Sequence, residues 1–244
     1  MAEAPLPPEL SVVVPVMNEA ENIAPLVREI AAALMGRVAF EIVYIDDGST
    51  DGSFERLRSL RAEFPMLRAQ RHARRRGQSA AVLTGVKAAR AAVIATLDGD
   101  GQNDPADIPK LLTALRADAV VGLVSGVRVK RKDTASRRIA SKLGNWFRGV
   151  LLGDGATDTG CGLKAFRRQA FLDLPYFDHI HRFLIALVQR DGWKVTYVPV
   201  NHRPRLTGAS KYTNFGRLLV SGQDILGVRW LQRRHRGPSG TEEL

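Results

Sequence analysis

Short β-branched runs alternate with helical patterns through the first half of the chain. Leu10–Val16 (LSVVVPV), Phe40–Ile45 (FEIVYI) and Ala92–Leu97 (AVIATL) read as buried strands, and Met66–Gln70 and Ala119–Ser125 as two more. Between them, a helix follows the polar cap residues Asn18–Asn22 and runs to about Met35. Further helices are predicted over Ser53 to about Phe64, over the small-residue stretch Gln78–Arg90, and over Pro105–Leu115 with proline in its first turn. This alternation predicts an α/β fold: a Rossmann-like, mostly parallel sheet with helices on both faces. Such sheets bind ligands beyond the C-terminal ends of their strands.

Two strands end in acidic clusters at that edge. The sharper is Asp98-Gly99-Asp100-Gly101-Gln102. Two carboxylates one residue apart face a common ligand, and Gln102 adds a neutral oxygen. An all-oxygen set suits Mg²⁺ or Mn²⁺, which also bind substrate phosphates; the competing reading is a solvated acidic turn. The second cluster, IDDGSTD, carries Asp46, Asp47 and Asp51, whose oxygens can accept from a base or ribose. Part of it also reads as a turn with a helix cap at Asp51. After the first strand the chain has PVMNEAEN, with Pro15, Asn18 and Glu19, where a dinucleotide site would need Gly-x-Gly-x-x-Gly. That absence argues against an NAD enzyme.

The second half is less regular. Thr134–Leu152 carries Ile139, Leu143, Trp146, Phe147, Val150 and Leu151 at helical spacing, with Arg137, Arg138, Lys142 and Arg148 beside them. A helix of this kind lies in a lipid interface or packs on its own domain. Gly162–Phe166 and Lys194–Val200 are short strands, and Gly208–Tyr212 is a loop. Phe215–Trp230 is a helix weakened by Gly216, Gly222 and Gly227. Segment 1–9 is expected to be disordered, 10–212 to form the catalytic domain, and 213–244 to be an amphipathic segment with a basic tail.

Charge narrows the partners. The 244 residues include 36 Lys and Arg against 25 Asp and Glu, a formal net charge of +11. This favours nucleic acid, an acidic membrane surface or a phosphorylated substrate. The basic runs lack the interleaved aromatics of base-stacking proteins, which argues against nucleic acid. A single cysteine, Cys161, excludes an intrachain disulfide. No stretch reaches the roughly 18 apolar residues that span a bilayer, so a cytoplasmic protein lying on the membrane is expected.

Read in order, SVVVPVMNEAENI, IVYIDDGSTDGS, RRRGQSAAVLTG, ATLDGDGQNDP and DTGCGLKAF resemble the family 2 glycosyltransferases of GT-A fold. LDGDGQNDP, SGVRVKR, SRRIASKLGNWF and RPRLTGASKY are similar to the polyprenyl-phosphate sugar transferase branch, which includes dolichol-phosphate mannose synthase. The resemblance implies that Asp98, Asp100 and Gln102 hold Mg²⁺ or Mn²⁺. It implies that Pro15, Asn18, Glu19, Asp46 and Asp47 line the nucleotide-sugar site, with Lys211 near the donor. Arg128, Arg138 (or its neighbour Arg137), Ser141 and Arg205 are then the acceptor-phosphate contacts, and Asp98, Asp100 and Arg205 the catalytic set. The implied reaction moves a sugar from GDP-mannose or a UDP-hexose to a polyprenyl phosphate with inversion, at the cytoplasmic face of a membrane. A separate integral membrane partner would assist a chain without a span. Two alternatives stay open: a same-fold transferase with a hydroxyl acceptor, for which Asp158 is the candidate base, and a basic nucleic-acid-binding protein.

Overall fold

A computed structural model describes residues 7–129, 148–204 and 214–237. The elements in chain order are β1 (Leu10–Val16), α1 (Ala20–Leu34), β2 (Phe40–Asp46), α2 (Ser53–Leu60), β3 (Leu67–Arg71), α3 (Gln78–Ala88) and β4 (Val93–Thr96). After a 3₁₀ turn (Pro105–Asp107) come α4 (Ile108–Arg116), β5 (Val121–Arg128), β6 (Lys164–Arg167) and α5 (Arg168–Leu172). A second 3₁₀ turn (Ile180–Arg182) leads into α6 (Leu184–Arg190), β7 (Lys194–Val200) and α7 (Asn214–Arg234).

The strands form one sheet in the order β3-β2-β1-β4-β6-β5-β7. β1 pairs in parallel with β2 and β4, β2 with β3, and β5 with β7. β6 runs antiparallel to both β4 and β5, so the predicted mostly parallel sheet carries one reversed strand. Alternation along β1 explains the two covered faces. Val12 and Val14 join a core with α1, α2 and α4, while Val13 joins a second core with α3, α5 and α6. The small-residue helix α3 packs close on the sheet as expected: a Cβ on Gly85 would stand 2.3 Å from Val13 Cγ1.

Most predicted boundaries hold to within a few residues. β5 runs on from the expected Ser125 to Arg128, and the Pro105–Leu115 helix divides into a 3₁₀ turn and α4. Asp51 does not cap α2 itself; that place is taken by Gly52, and Asp51 Oδ1 accepts from Ser53 N–H at 3.0 Å. The helix foreseen over Thr134–Leu152 lies outside the described residues except for 148–152, which are helical. There Val150 is exposed and Leu152 is buried.

Candidate active site

The site is built on the loop that follows β4. Asp98 N–H donates to Asn103 Oδ1, and Gln102 N–H to Asp100 Oδ1, each at 3.1 Å, which closes the loop on itself. The reversed strand supplies the floor. Lys164 sits in register opposite Thr96, and Thr96 Oγ1 donates to the Gly162 carbonyl at 2.8 Å. Gly162 then lies against the acidic loop so tightly that a Cβ would stand 2.1 Å from Asp98 Oδ2. From the opposite side, Gln78 in the first turn of α3 donates through Nε2 to Asp98 Oδ1 at 3.0 Å. Behind the loop, Asn103 bridges to His202, and Arg203 N–H donates to the Gln102 carbonyl at 2.9 Å.

Burial, and then the charge of Asp100, pushes the Asp98 carboxyl up to about 6, against the pull of Lys164, Arg128 and the Gln78 hydrogen bond. The charges of Lys164 and Arg128 thus do not offset the burial of Asp98. Two carboxylates and an amide lining one cleft at the end of a strand are an oxygen donor set that suits a hard divalent cation, so the residues fit the Mg²⁺ or Mn²⁺ expected from sequence. Lys164 is itself buried, with Nζ donating to the Cys161 carbonyl. Burial pulls its ammonium pKa down.

The second acidic cluster shapes the wall. Asp47 Oδ1 accepts from Arg76 N–H and faces His72 Nδ1, both at 2.8 Å, and Asp47 Oδ2 accepts from Gly77 N–H at 2.8 Å. This anchors the loop that leads into α3. Asp46 is fully buried; it accepts from Ser49 N–H at 3.0 Å and pairs with Arg71. Asn18 ties the first loop to the second, donating from its N–H to Ser49 Oγ and accepting from Thr50 N–H.

A cleft of about 560 Å³ gathers these parts. Pro15, Glu19, Asp47, Asp98, Asp100, Gln102 and Arg128 all line it. Asn18 and Asp46 stand behind the lining as braces. Arg138, Ser141, Arg205 and Lys211 lie outside the described residues. Gln78, Lys164, His181 and Arg182 also line the cleft, and the sequence reading gave them no role. Gln78 and Lys164 belong to segments already singled out, but nothing in their spacing separates them from ordinary helix and strand positions. Asp158 is locked: Arg128 Nε donates to its Oδ2 at 2.7 Å and Nη2 to its Oδ1 at 2.6 Å.

The sequence profile of glycosyl transferase family 2 matches residues 11–174, which contain the whole acidic loop and its floor. The chain belongs to this family. Among similar proteins, this glycosyltransferase is 35% identical over 235 residues to dodecaprenyl-phosphate galacturonate synthase of Rhizobium johnstonii, covering 94% of the chain and 69% of the relative. It is 37% identical over 222 residues to undecaprenyl-phosphate 4-deoxy-4-formamido-L-arabinose transferase of an Enterobacter species, covering 89% and 66%. The chain thus spans about two thirds of the length of these curated relatives. In fold it matches a mannosyltransferase from Pyrobaculum calidifontis in complex with GDP-Man and Mn²⁺ (TM-score 0.67, 21% identity, 96% of this chain and 66% of that one). It also matches glucosyl-3-phosphoglycerate synthase from Mycobacterium tuberculosis with Mn²⁺ and UDP-Glc (TM-score 0.70, 17% identity, 92% and 79%). The glycosyltransferase therefore has the fold of enzymes crystallised with a nucleotide-sugar and a divalent metal.

Proposed function

We propose that this enzyme transfers a sugar from a nucleotide-sugar to a polyprenyl phosphate, using Mg²⁺ or Mn²⁺ held by Asp98, Asp100 and Gln102. The observation that carries the reading is the pairing of Asp158 with Arg128. A hydroxyl acceptor needs a general base, and both oxygens of the candidate base are occupied by that guanidinium. A lipid monophosphate needs none, because it is already anionic at neutral pH. The two similar proteins named above, both sugar transferases to polyprenyl phosphates, support the same class of acceptor.

The chemistry is a direct displacement. A phosphate oxygen of the lipid forms a bond to the anomeric carbon, the bond from that carbon to the diphosphate breaks, and the nucleoside diphosphate leaves with the electron pair. Attack opposite the leaving group inverts the anomeric centre. A bound divalent ion supplies charge stabilisation to the departing diphosphate. Pro15, Glu19 and Asp47 hold the nucleotide end, while Asn18 and Asp46 keep that wall in shape. Arg138, Ser141 and Arg205 grip the acceptor phosphate, Arg205 also steadying the transition-state charge, and Lys211 approaches the donor. Arg128 joins them at the acceptor phosphate, and it also fixes Asp158 and adds positive potential near Asp98.

The enzyme works at a membrane surface, on the cytoplasmic face. Among the described residues, no helix is long and apolar enough to cross a membrane. Leu226 and Trp230 are exposed one turn apart on α7, with Arg229, Arg233 and Arg234 beside them. This combination suits an anionic lipid interface.

The test is a donor screen with GDP-mannose, UDP-glucose and UDP-galacturonic acid, reading released nucleoside diphosphate with and without undecaprenyl phosphate. One donor should be consumed only when lipid phosphate and Mn²⁺ or Mg²⁺ are both present, and Asp100→Asn should slow it by at least about 100-fold. Undiminished turnover in excess EDTA, or turnover indifferent to the lipid, contradicts the proposal.

A further inference from the structure

His181 lines the cleft and has no part in the reaction as described so far. Its Nδ1 lies 2.7 Å from Ser79 Oγ. Ser79 is fully buried, and among the described residues this ring is the hydroxyl's hydrogen-bond partner. A buried hydroxyl proton left unmatched is costly. Ser79 O–H therefore donates to Nδ1, and the ring carries its own proton on Nε2. Desolvation, reinforced by the charges of Lys164 and Arg182 and by His179, holds the imidazole neutral, with its pKa lowered to about 3. Nε2 meets no hydrogen-bond partner among the described residues. The cleft wall thus presents a neutral N–H donor of fixed tautomer.

Its place indicates what it meets. Consecutive residues of α3, Gln78 and Ser79, reach Asp98 and His181 respectively. His181, Asp98 and Asp100 line the same cleft, and the charge of Lys164 acts on both Asp98 and His181, so the ring shares with the acidic pair the space that the group attached to a bound diphosphate would occupy. That group is the sugar to be transferred. Phosphate is better served by the cations lining the same cleft, whereas a neutral donor matches a hydroxyl or carboxylate oxygen on a sugar ring. A site built to hydrogen-bond such an oxygen discriminates strongly against substrates that lack it.

We propose that His181 is a specificity-determining residue for the donor sugar, its Nε2–H donating to a ring oxygen substituent, and that Ser79 is the positioning residue that sets its tautomer. This inference rests on the function proposed above, and it is tested by binding, which needs no acceptor. Calorimetry in Mn²⁺ would compare UDP with UDP-glucose and UDP-galacturonic acid, and GDP with GDP-mannose, using wild-type protein, His181→Ala, His181→Gln and Ser79→Ala. For the nucleotide-sugar that wild type binds best, His181→Ala should weaken binding about tenfold while affinity for the bare nucleoside diphosphate stays within about twofold. His181→Gln, which keeps an N–H, should recover part of the loss, and Ser79→Ala should fall between. Equal losses for sugar-bearing and bare nucleotides, or no loss in His181→Ala, would overturn the proposal. If His181→Ala fails to fold, the same comparison on His181→Gln and Ser79→Ala decides: an unchanged preference for the sugar-bearing ligand in both rejects the assignment. Should donor binding behave as stated while wild type never glycosylates a lipid phosphate, the acceptor reading fails and the His181 assignment stands.

Discussion

At the scale of single residues, Gly162 shows how tightly the acidic loop is fitted. Its Cα faces the Asp98 carboxylate where a methyl group would sit 2.1 Å from Oδ2. Gly162→Ala must therefore push Asp98 aside, although Gly162 itself is a small part of the core. The expected result is an apparent Mn²⁺ affinity at least about tenfold weaker, read by metal titration, with only a modest change in melting temperature. A large drop in melting temperature with unchanged metal affinity would assign Gly162 to the fold alone. That Asp98, Asp100 and Gln102 would face the ligand cleft was legible in the sequence, because their run closes a strand at the edge where α/β sheets bind ligands. His181 and Lys164 were not. Their character comes from burial and from partners 102 and 3 residues away, Ser79 and Cys161, contacts that no local pattern encodes.

At the scale of elements, the parallel strands were readable because burial on both faces leaves continuous apolar runs such as LSVVVPV. The reversed β6 was not readable as reversed, since strand direction is fixed by the path between β5 and β6 and not by composition. α5 and α6 span only 5 and 7 residues and gave too few turns for a period to emerge. α7 runs to Arg234 through glycines that the sequence reading treated as weakening. Ile225 and Val228 are buried along it, and His179 Nδ1 meets Asp224 Oδ2 at 3.0 Å. Tertiary packing outweighs the propensity cost of about 1 kcal/mol per glycine. The other side of α7 is where a lipid surface is expected. Because Leu226 and Trp230 are exposed, Trp230→Glu should leave thermal stability nearly unchanged while reducing co-sedimentation with anionic liposomes, and added salt should weaken wild-type binding. A large stability loss without a liposome defect would return α7 to a purely structural role.

For the whole molecule, several arginines are internal building material. Arg68 pairs with Glu41, Arg148 with Asp154, and Arg203 with Glu29. Arg167 and Arg168 donate to the backbone carbonyls of Val121 and Val86. These arginines pin loops and strand ends to the sheet. The nucleic-acid alternative gives way to the match with glycosyl transferase family 2 over residues 11–174. Metal-dependent sugar transfer onto a lipid phosphate, the activity proposed for this enzyme, is read out most plainly in the mass of the lipid. Undecaprenyl phosphate incubated with the enzyme, Mn²⁺ and the active donor should gain the mass of one sugar residue, and neither Asp100→Asn nor EDTA-treated enzyme should produce that species at a comparable rate. An unmodified lipid in the presence of complete donor turnover would exclude lipid phosphate as the acceptor.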